Sequence, residues 1–246
     1  MVSVTAVTTL EVTVEHTDGT TGLEALDIEH IKNLGMAYRD PPDRDQLNEY
    51  LAEMGAEGEA PERLPSVGPK PNYLVTTERT MQVTSSTTAG EAEFVMYPTE
   101  DELYIGVGND HKEYDLMPGD GRLSNSTCPS VVSDEVWVFD ELVDHWDEIQ
   151  LRSWVEQDGS LDLYQEAPMS AFMRPDAIVE AVDDKTPHPI TGTAVWSGTI
   201  SRSSDGEPGG VDPYPEVISG DFYLIQLYDP VLDRRLVTHY DVHVSE

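Results

Sequence analysis

The sequence predicts an α+β protein, mostly β, with its strands rolled into a sandwich or barrel-like sheet. Strand-like runs of β-branched and aromatic residues recur from residue 80 to the end, only a few segments carry helical spacing, and no regular strand–helix alternation is present. Residues 2–15 alternate Val with Thr and Glu, and Asp18-Gly19 is a hairpin turn signal, so a strand pair opens the chain. "DIEHIKNLG" predicts a short helix ending at Gly35. "PPDRDQLNEYLAEMG" predicts the clearest helix, with Pro41 and Pro42 as a start, Leu47, Tyr50, Leu51 and Met54 at helical spacing, and Gly55 as a stop. "AEGEAPERLPSVGPKPNYLV" is rich in Pro and Gly and reads as a surface loop. "TMQVTS", "AEFVMY", "LYIGVG", "SWVEQ", "DLYQE", "TAVWSGTI", "FYLIQLYD" and "RLVTHYDVHV" read as strands. Two interruptions read as helical: "DELVDHWDEI", with Leu142, Trp146 and Ile149 on one side, and "APMSAFMRPDAIVEAV", broken at Pro175. There is no internal repeat, and "SRSSDGEPGGVDPYPE" is the one long low-complexity insertion.

Composition narrows the partners. The 246 residues carry 48 acids against 14 Lys and Arg, a formal charge of −34, and the acids are interspersed with apolar runs. Such a surface repels phosphate backbones and anionic lipid, so neither nucleic acid nor a membrane is an expected partner. Closely spaced carboxylates repel one another in dilute buffer, and molar salt removes that penalty. With only four lysines, the composition resembles the proteome style of salt-in halophilic archaea. Cys128 stands alone, which leaves no intramolecular disulfide and no cysteine-based zinc site. The N-terminus has no basic start and no apolar core, and no run approaches eighteen apolar residues, so the expectation is a cytoplasmic protein.

"GEAEFVMYPTEDELYIGVGNDH" (90–111) holds the densest chemistry. "PTED" supplies turn residues, so Glu91 and Glu93 run away from the turn while Asp110 returns along the facing strand. If residues whose numbers sum to 201 are opposed, Glu91 faces Asp110 and Glu93 shares their side; a one-residue slip sends Asp110 to the other face. The sequence leaves both registers open, and Gly106 and Gly108 could accommodate a bulge. Like charges converging across a ladder are destabilising and ask for a cation. Three carboxylates are a set of hard oxygen ligands suited to Mg²⁺ or Mn²⁺; the alternative is a solvated acidic edge.

"GEAEFV" followed by "GVGNDH" resembles the ExE…D metal signature of the fumarylacetoacetate hydrolase-like (FAH-like) superfamily, and "SGTI" with "ISGDFYLIQLYDPVLDRRLVTHY" resembles its C-terminal pattern. "NLGMAYRD", "YLVTTE", "DHWDEIQLRS" and "LYQEAPM" look closer still to a branch of that superfamily defined only as a domain of unknown function, with the resemblance covering roughly residues 30–244. It implies one FAH-like domain over residues 1–246, a mixed β-sandwich or roll in which residues 1–80 form a strand and helix extension packed on an 81–246 core. It implies one divalent cation held by Glu91, Glu93 and Asp110, which stabilises the enolate left when a carbon–carbon bond of a small β-keto or acylpyruvate-type acid breaks. The reaction is hydrolysis, decarboxylation or isomerisation, and superfamily members commonly form homodimers. His111 is the first candidate base and His145 the second. An anionic substrate calls for positive charge: Arg39 is the first choice and Arg152 the second, with ion pairing inside an acid-rich protein as the alternative for both. Thr199 and Tyr73 are further pocket candidates, the alternative being ordinary strand packing.

One departure stands out. Many superfamily hydrolases carry a lysine downstream of the metal aspartate, and the comparable stretch "RLSNSTCPS" offers Asn125 or Ser126. A diverged, non-catalytic ligand- or metal-binding protein on the same scaffold therefore competes with the enzyme, as does a structural β protein whose acidic hairpin is surface only.

Overall fold

The computed structural model describes residues 6–53, 59–200 and 217–245. Its chain opens with β1 (Thr8–Glu15), β2 (Thr21–Ile28), β3 (His30–Gly35) and β4 (Ser66–Lys70). Short strands β5 (Val75–Thr76), β6 (Thr80–Val83) and β7 (Thr88–Ala89) lead into the hairpin of β8 (Ala92–Pro98) and β9 (Leu103–Asn109). Then come β10 (Lys112–Glu113), β11 (Ser130–Val131) and β12 (Glu135–Val138). The C-terminal half adds β13 (Gln150–Gln157), β14 (Ser160–Pro168), β15 (Thr193–Trp196), β16 (Phe222–Asp229) and β17 (Arg234–Val244). The α-helices are α1 (Arg44–Glu53), α2 (Gly121–Ser126) and α3 (Pro175–Asp183).

Eight strands share one sheet in the order β2-β1-β12-β9-β8-β15-β3-β4, and a second sheet runs β14-β13-β16-β17-β6. Side chains alternate across the pleat. Phe94 and Met96 of β8 with Ile105 and Val107 of β9 enter a core shared with Leu151, Ile225 and Leu236 of the second sheet. Val95 and Tyr97 point the other way and pack with Leu10, Val12, Leu26 and Ile31. Since β1 and β2 lie at one end of the larger sheet and β3 near the other, that shared cluster requires the sheet to curl around it as a half-barrel. The expected mostly-β roll is the observed fold.

Four expectations are corrected. "DIEHIKNLG" is not helical: it forms the end of β2 and all of β3, because β3 is hydrogen-bonded on both sides, to β15 and β4. The apolar spacing of Ile28, Ile31 and Leu34 suits a helix, but Ile31 and Leu34 serve the two different cores, as a two-sided strand demands. The loop read at 56–75 contains β4, whose Pro69 is tolerated because β4 is an edge strand paired only with β3. "DELVDHWDEI" forms two 3-10 turns, Phe139–Glu141 and Trp146–Glu148, which bury Leu142, Trp146 and Ile149 without a continuous helix. Pro175 starts α3 rather than breaking a helix, in keeping with its missing N–H. The predicted helix stop at Met54 and Gly55 and the insertion at 201–216 lie outside the described residues.

Candidate metal and substrate site

The hairpin register is the one in which numbers sum to 201: Ala92 pairs with Asn109, Glu93 with Gly108, and the Asp110 N–H donates to the Glu91 carbonyl at 3.0 Å. No bulge interrupts β8 and β9. Gly108 instead lets the 131–132 segment approach, since a Cβ there would lie 2.8 Å from the Val131 carbonyl oxygen. In this register Glu91, Glu93 and Asp110 share one face, and a ligand oxygen from each lies within 4.8 Å of the others. All three are buried.

Two lysines meet them. Lys112 Nζ donates to Glu91 Oε2 at 2.7 Å and to Asp110 Oδ2 at 3.0 Å. Lys70 Nζ donates to Asp110 Oδ1 at 3.1 Å and to Ser130 Oγ at 2.8 Å. Lys112 follows Asp110 by two residues and so lies on the same side of the strand. The Tyr114 hydroxyl donates to Glu91 Oε1. Glu93 accepts the Gly198 N–H at 2.8 Å. Gly198 holds φ of +79° with the Leu34 carbonyl oxygen 2.9 Å from where its Cβ would be, so the turn that delivers this N–H requires glycine.

Charge explains the titration directions. Burial, then Asp110 and Glu91, push the Glu93 carboxyl well above the usual carboxylate range against the pull of Lys112. Burial resists ionisation of Asp110 as well, but Lys112 and Lys70 outweigh it and hold that carboxyl below its ordinary value. Burial likewise works against the Lys112 ammonium and is overcome by Asp110 and Glu91, so Lys112 stays protonated. Three ionised carboxylates at the cavity would exceed the two ammonium groups by one negative charge, and with no cation bound the raised Glu93 carboxyl is the group that answers that surplus with a proton. That set of oxygen donors fits a hard divalent cation.

The cavity has a volume of about 550 Å³. Glu91, Glu93, Asp110, Lys112 and Tyr114 form its charged end, and Leu34, Met36, Pro61, Met117 and Val217 contribute apolar walls.

The other residues singled out in the sequence are dispersed. Thr199 lines the cavity, with its hydroxyl donating to the Ala92 carbonyl at 3.1 Å and accepting from Gln165 at 2.8 Å. Asn125 lines it too. His111 lies between Asp110 and Lys112 and points to the opposite side, where Nδ1 is 3.0 Å from the Tyr240 hydroxyl and burial depresses its pKa to about 3. His145 Nε2 meets Asp229 Oδ2 at 2.9 Å. Arg39 forms a two-pronged pair with Asp147 at 2.8 and 2.6 Å, Arg152 pairs with Glu166 at 2.6 Å, and Tyr73 is 74% exposed. None of these four residues lines the cavity. Sequence reasoning did not single out Lys70, Lys112 or Tyr114, although the Asp-x-Lys spacing of 110 and 112 repeats the Glu-x-Glu spacing of 91 and 93 and was a usable signal.

Curled sheet, acidic triad and cavity together define an FAH-like fold with a cation-competent centre. The chain belongs to the family described as protein of unknown function DUF2848, whose sequence profile matches residues 34–240. No protein of curated function matches it by sequence. Among solved structures it is similar to Cg1458 at 14% identity, with a TM-score of 0.59, 92% of this chain and 83% of that chain being covered. The 2-keto-3-deoxy-D-arabinonate dehydratase complexed with magnesium and 2,5-dioxopentanoate is 11% identical, with a TM-score of 0.55 and 88% and 74% covered. Yeast ynq8, a fumarylacetoacetate hydrolase family protein, is 11% identical, with a TM-score of 0.56 and 88% and 94% covered. Among the described residues no helix is long and apolar enough to cross a membrane.

Proposed function

We propose that the chain is a Mg²⁺- or Mn²⁺-dependent enzyme acting on a small anionic β-keto or acylpyruvate-type acid by hydrolysis, decarboxylation or isomerisation. The observation that carries this reading is the burial of three carboxyl groups and two lysines at one end of a largely apolar cavity, because burying that many ionisable groups costs stability and such groups cluster at functional sites. The magnesium complex of the dehydratase with the same fold supports the choice of cation. Glu91, Glu93 and Asp110 would hold the cation, which when bound supplies a Lewis acid for the negative charge that develops on a keto oxygen.

The chain's own groups have separable tasks. Lys112 pairs with Glu91, keeps Asp110 ionised and offers positive charge to a substrate carboxylate. Lys70 fixes Asp110 against Ser130, Tyr114 orients Glu91, and the Gly198 N–H orients Glu93. Met36, Met117 and Val217 exclude water from the carbon skeleton of the substrate. His111, which faces Tyr240 behind the strand, does not line the cavity, and Lys112, held protonated by Glu91 and Asp110, serves there as a fixed positive charge. The family resemblance supports a homodimer as the working unit, the composition supports a place in the cytoplasm, and the charge of −34 makes molar KCl the suitable medium.

A second reading, a binding protein without turnover, is favoured by the position of Lys112 across Glu91 and Asp110, where it already neutralises two acids. Keto-acid turnover by clean protein that depends on a divalent cation removes that reading. The deciding experiment is calorimetric titration of Mn²⁺ into chelator-treated protein in molar KCl, for wild type and for Glu91→Gln/Glu93→Gln. One-to-one binding that the double variant loses supports the site and opens a keto-acid screen. Binding that survives the substitutions, or no binding at all, sinks it.

A further inference from the structure

Asn33 is the cavity residue with no visible employment. It is 6% exposed, it lines the cavity, and neither its Oδ1 nor its Nδ2 has a hydrogen-bond partner among the described residues. Buried side-chain amides without partners are rare and call for an explanation. Pleat parity shows where this one points. Ile31 pairs with Lys70, whose ammonium reaches Asp110, and Asn33 follows Ile31 by two residues, so its side chain leaves the sheet on the face that carries the triad, about 7 Å along the strand. Asn125 Oδ1, on α2, is a second buried oxygen without a partner at the same cavity.

Away from the triad, then, the cavity offers two amides and apolar side chains, together with the Tyr38, Ser66 and Thr199 hydroxyls, each of which already donates to a backbone carbonyl. No described residue lining it is basic except Lys112, which is already engaged by two carboxylates. A second carboxylate on the substrate would lie there desolvated and without a counter-charge, in a protein already at −34. A plain alkyl end would leave the amides unpaired. A hydroxyl both donates and accepts, and it satisfies Asn33 while its carbon chain rests on Met36 and Met117.

Building on the keto-acid reading above, we infer that the substrate is a short 2-keto acid whose far end carries a neutral hydrogen-bonding group of the hydroxyl type, and that Asn33, assisted by Asn125, selects it. The probes are 2-oxopentanoate, 5-hydroxy-2-oxopentanoate and 2-oxoglutarate, titrated into the Mn²⁺-loaded protein in molar KCl. The hydroxy acid should bind about tenfold more tightly than either competitor. Asn33→Leu should erase most of that preference while leaving Mn²⁺ affinity unchanged, and Asn125→Ala should reduce it about threefold.

A metal-free readout stands beside these. Because the Asn33 amide has no partner to lose, Asn33→Leu should melt at or above the wild-type temperature in the absence of any cation. A variant that melts well below wild type or fails to fold shows that the amide is structurally engaged and overturns the inference. So does tightest binding of 2-oxoglutarate, or an unchanged ranking in Asn33→Leu. Normal Mn²⁺ binding with none of the three acids bound instead removes the keto-acid reading, and the inference goes with it.

Discussion

At one end of the β8–β9 hairpin three carboxylates meet two ammonium groups; at the β16–β17 hairpin a single carboxylate, Asp229, meets Arg234 at 3.3 Å, His145 at 2.9 Å and the N–H groups of Val231 and Leu232 at 3.0 and 3.2 Å. Both clusters are buried and both contain an acid whose pKa is shifted downwards. They differ in what is left over. Asp229 has a donor for each of its roughly four acceptor positions and, among the described residues, joins no triad of acids, while Arg234 also stacks over the Trp137 ring at 4.4 Å. The triad has too few cations, and it opens onto a cavity. A perturbed pKa therefore marks both a hairpin fastening and a candidate active centre, and surplus charge beside open space is what tells them apart.

The largest expected effect comes from removing a cation on the deficient side. Lys112→Met leaves Glu91 and Asp110 without their shared ammonium, and the metal-free protein should lose about 3–5 kcal/mol in urea denaturation, with Mn²⁺ restoring part of the loss. If the metal-free variant is as stable as wild type, or if Mn²⁺ adds nothing, the two clusters are alike after all. On the satisfied side, Asp229→Asn should cost about 1–3 kcal/mol, with no change in Mn²⁺ affinity. Altered metal binding in that variant would show that the regions communicate. Gly198→Ala forces a methyl into a left-handed turn, at about 1–2 kcal/mol, and should weaken Mn²⁺ by displacing the N–H that holds Glu93; calorimetry reads the second effect separately from stability.

The smallest effect is in pH. His145 and the Leu232 and Val231 N–H groups overcome burial and depress the Asp229 carboxyl, so the folded-state value lies below the unfolded one. Its contribution is fully present above the unfolded value of about 3.9 and is lost as pH falls through the lower folded value. The stability difference between wild type and Asp229→Asn should accordingly narrow below about pH 4 and stay flat above about pH 5. A gap that widens on acidification contradicts the assignment.

Much of the fold was legible because strands such as β8, β13 and β16 are runs of β-branched and aromatic residues, and so was the triad, because Glu-x-Glu fixes a face without any tertiary information. The register that adds Asp110 was one of two possibilities, and only the partner strands select it. Lys112 was legible by parity. Lys70 was not: it ends an edge strand that contains Pro69 and Gly68, composition that reads as a loop, and only pairing with β3 brings it under Asp110. Scarcity of basic residues directed attention to Arg39 and Arg152, whereas two of the chain's four lysines are the ones that lie in the site. Asn33 was hidden because β3 reads as helix, and an amide that lacks a partner is a property of the folded interior alone.

The segment from Asn109 to Lys112 behaves as a tape with two tracks. Asp110 and Lys112 are written on the track that faces the cavity, while Asn109 and His111 are written on the other, where both meet the Tyr240 hydroxyl at 3.0 Å. Substitutions on either track can be tried independently during divergence. Loss or gain of one residue exchanges the tracks at a stroke, moving an imidazole into the cavity and an ammonium among buried tyrosines, so new chemistry at this site has to arrive by replacement rather than by insertion or deletion.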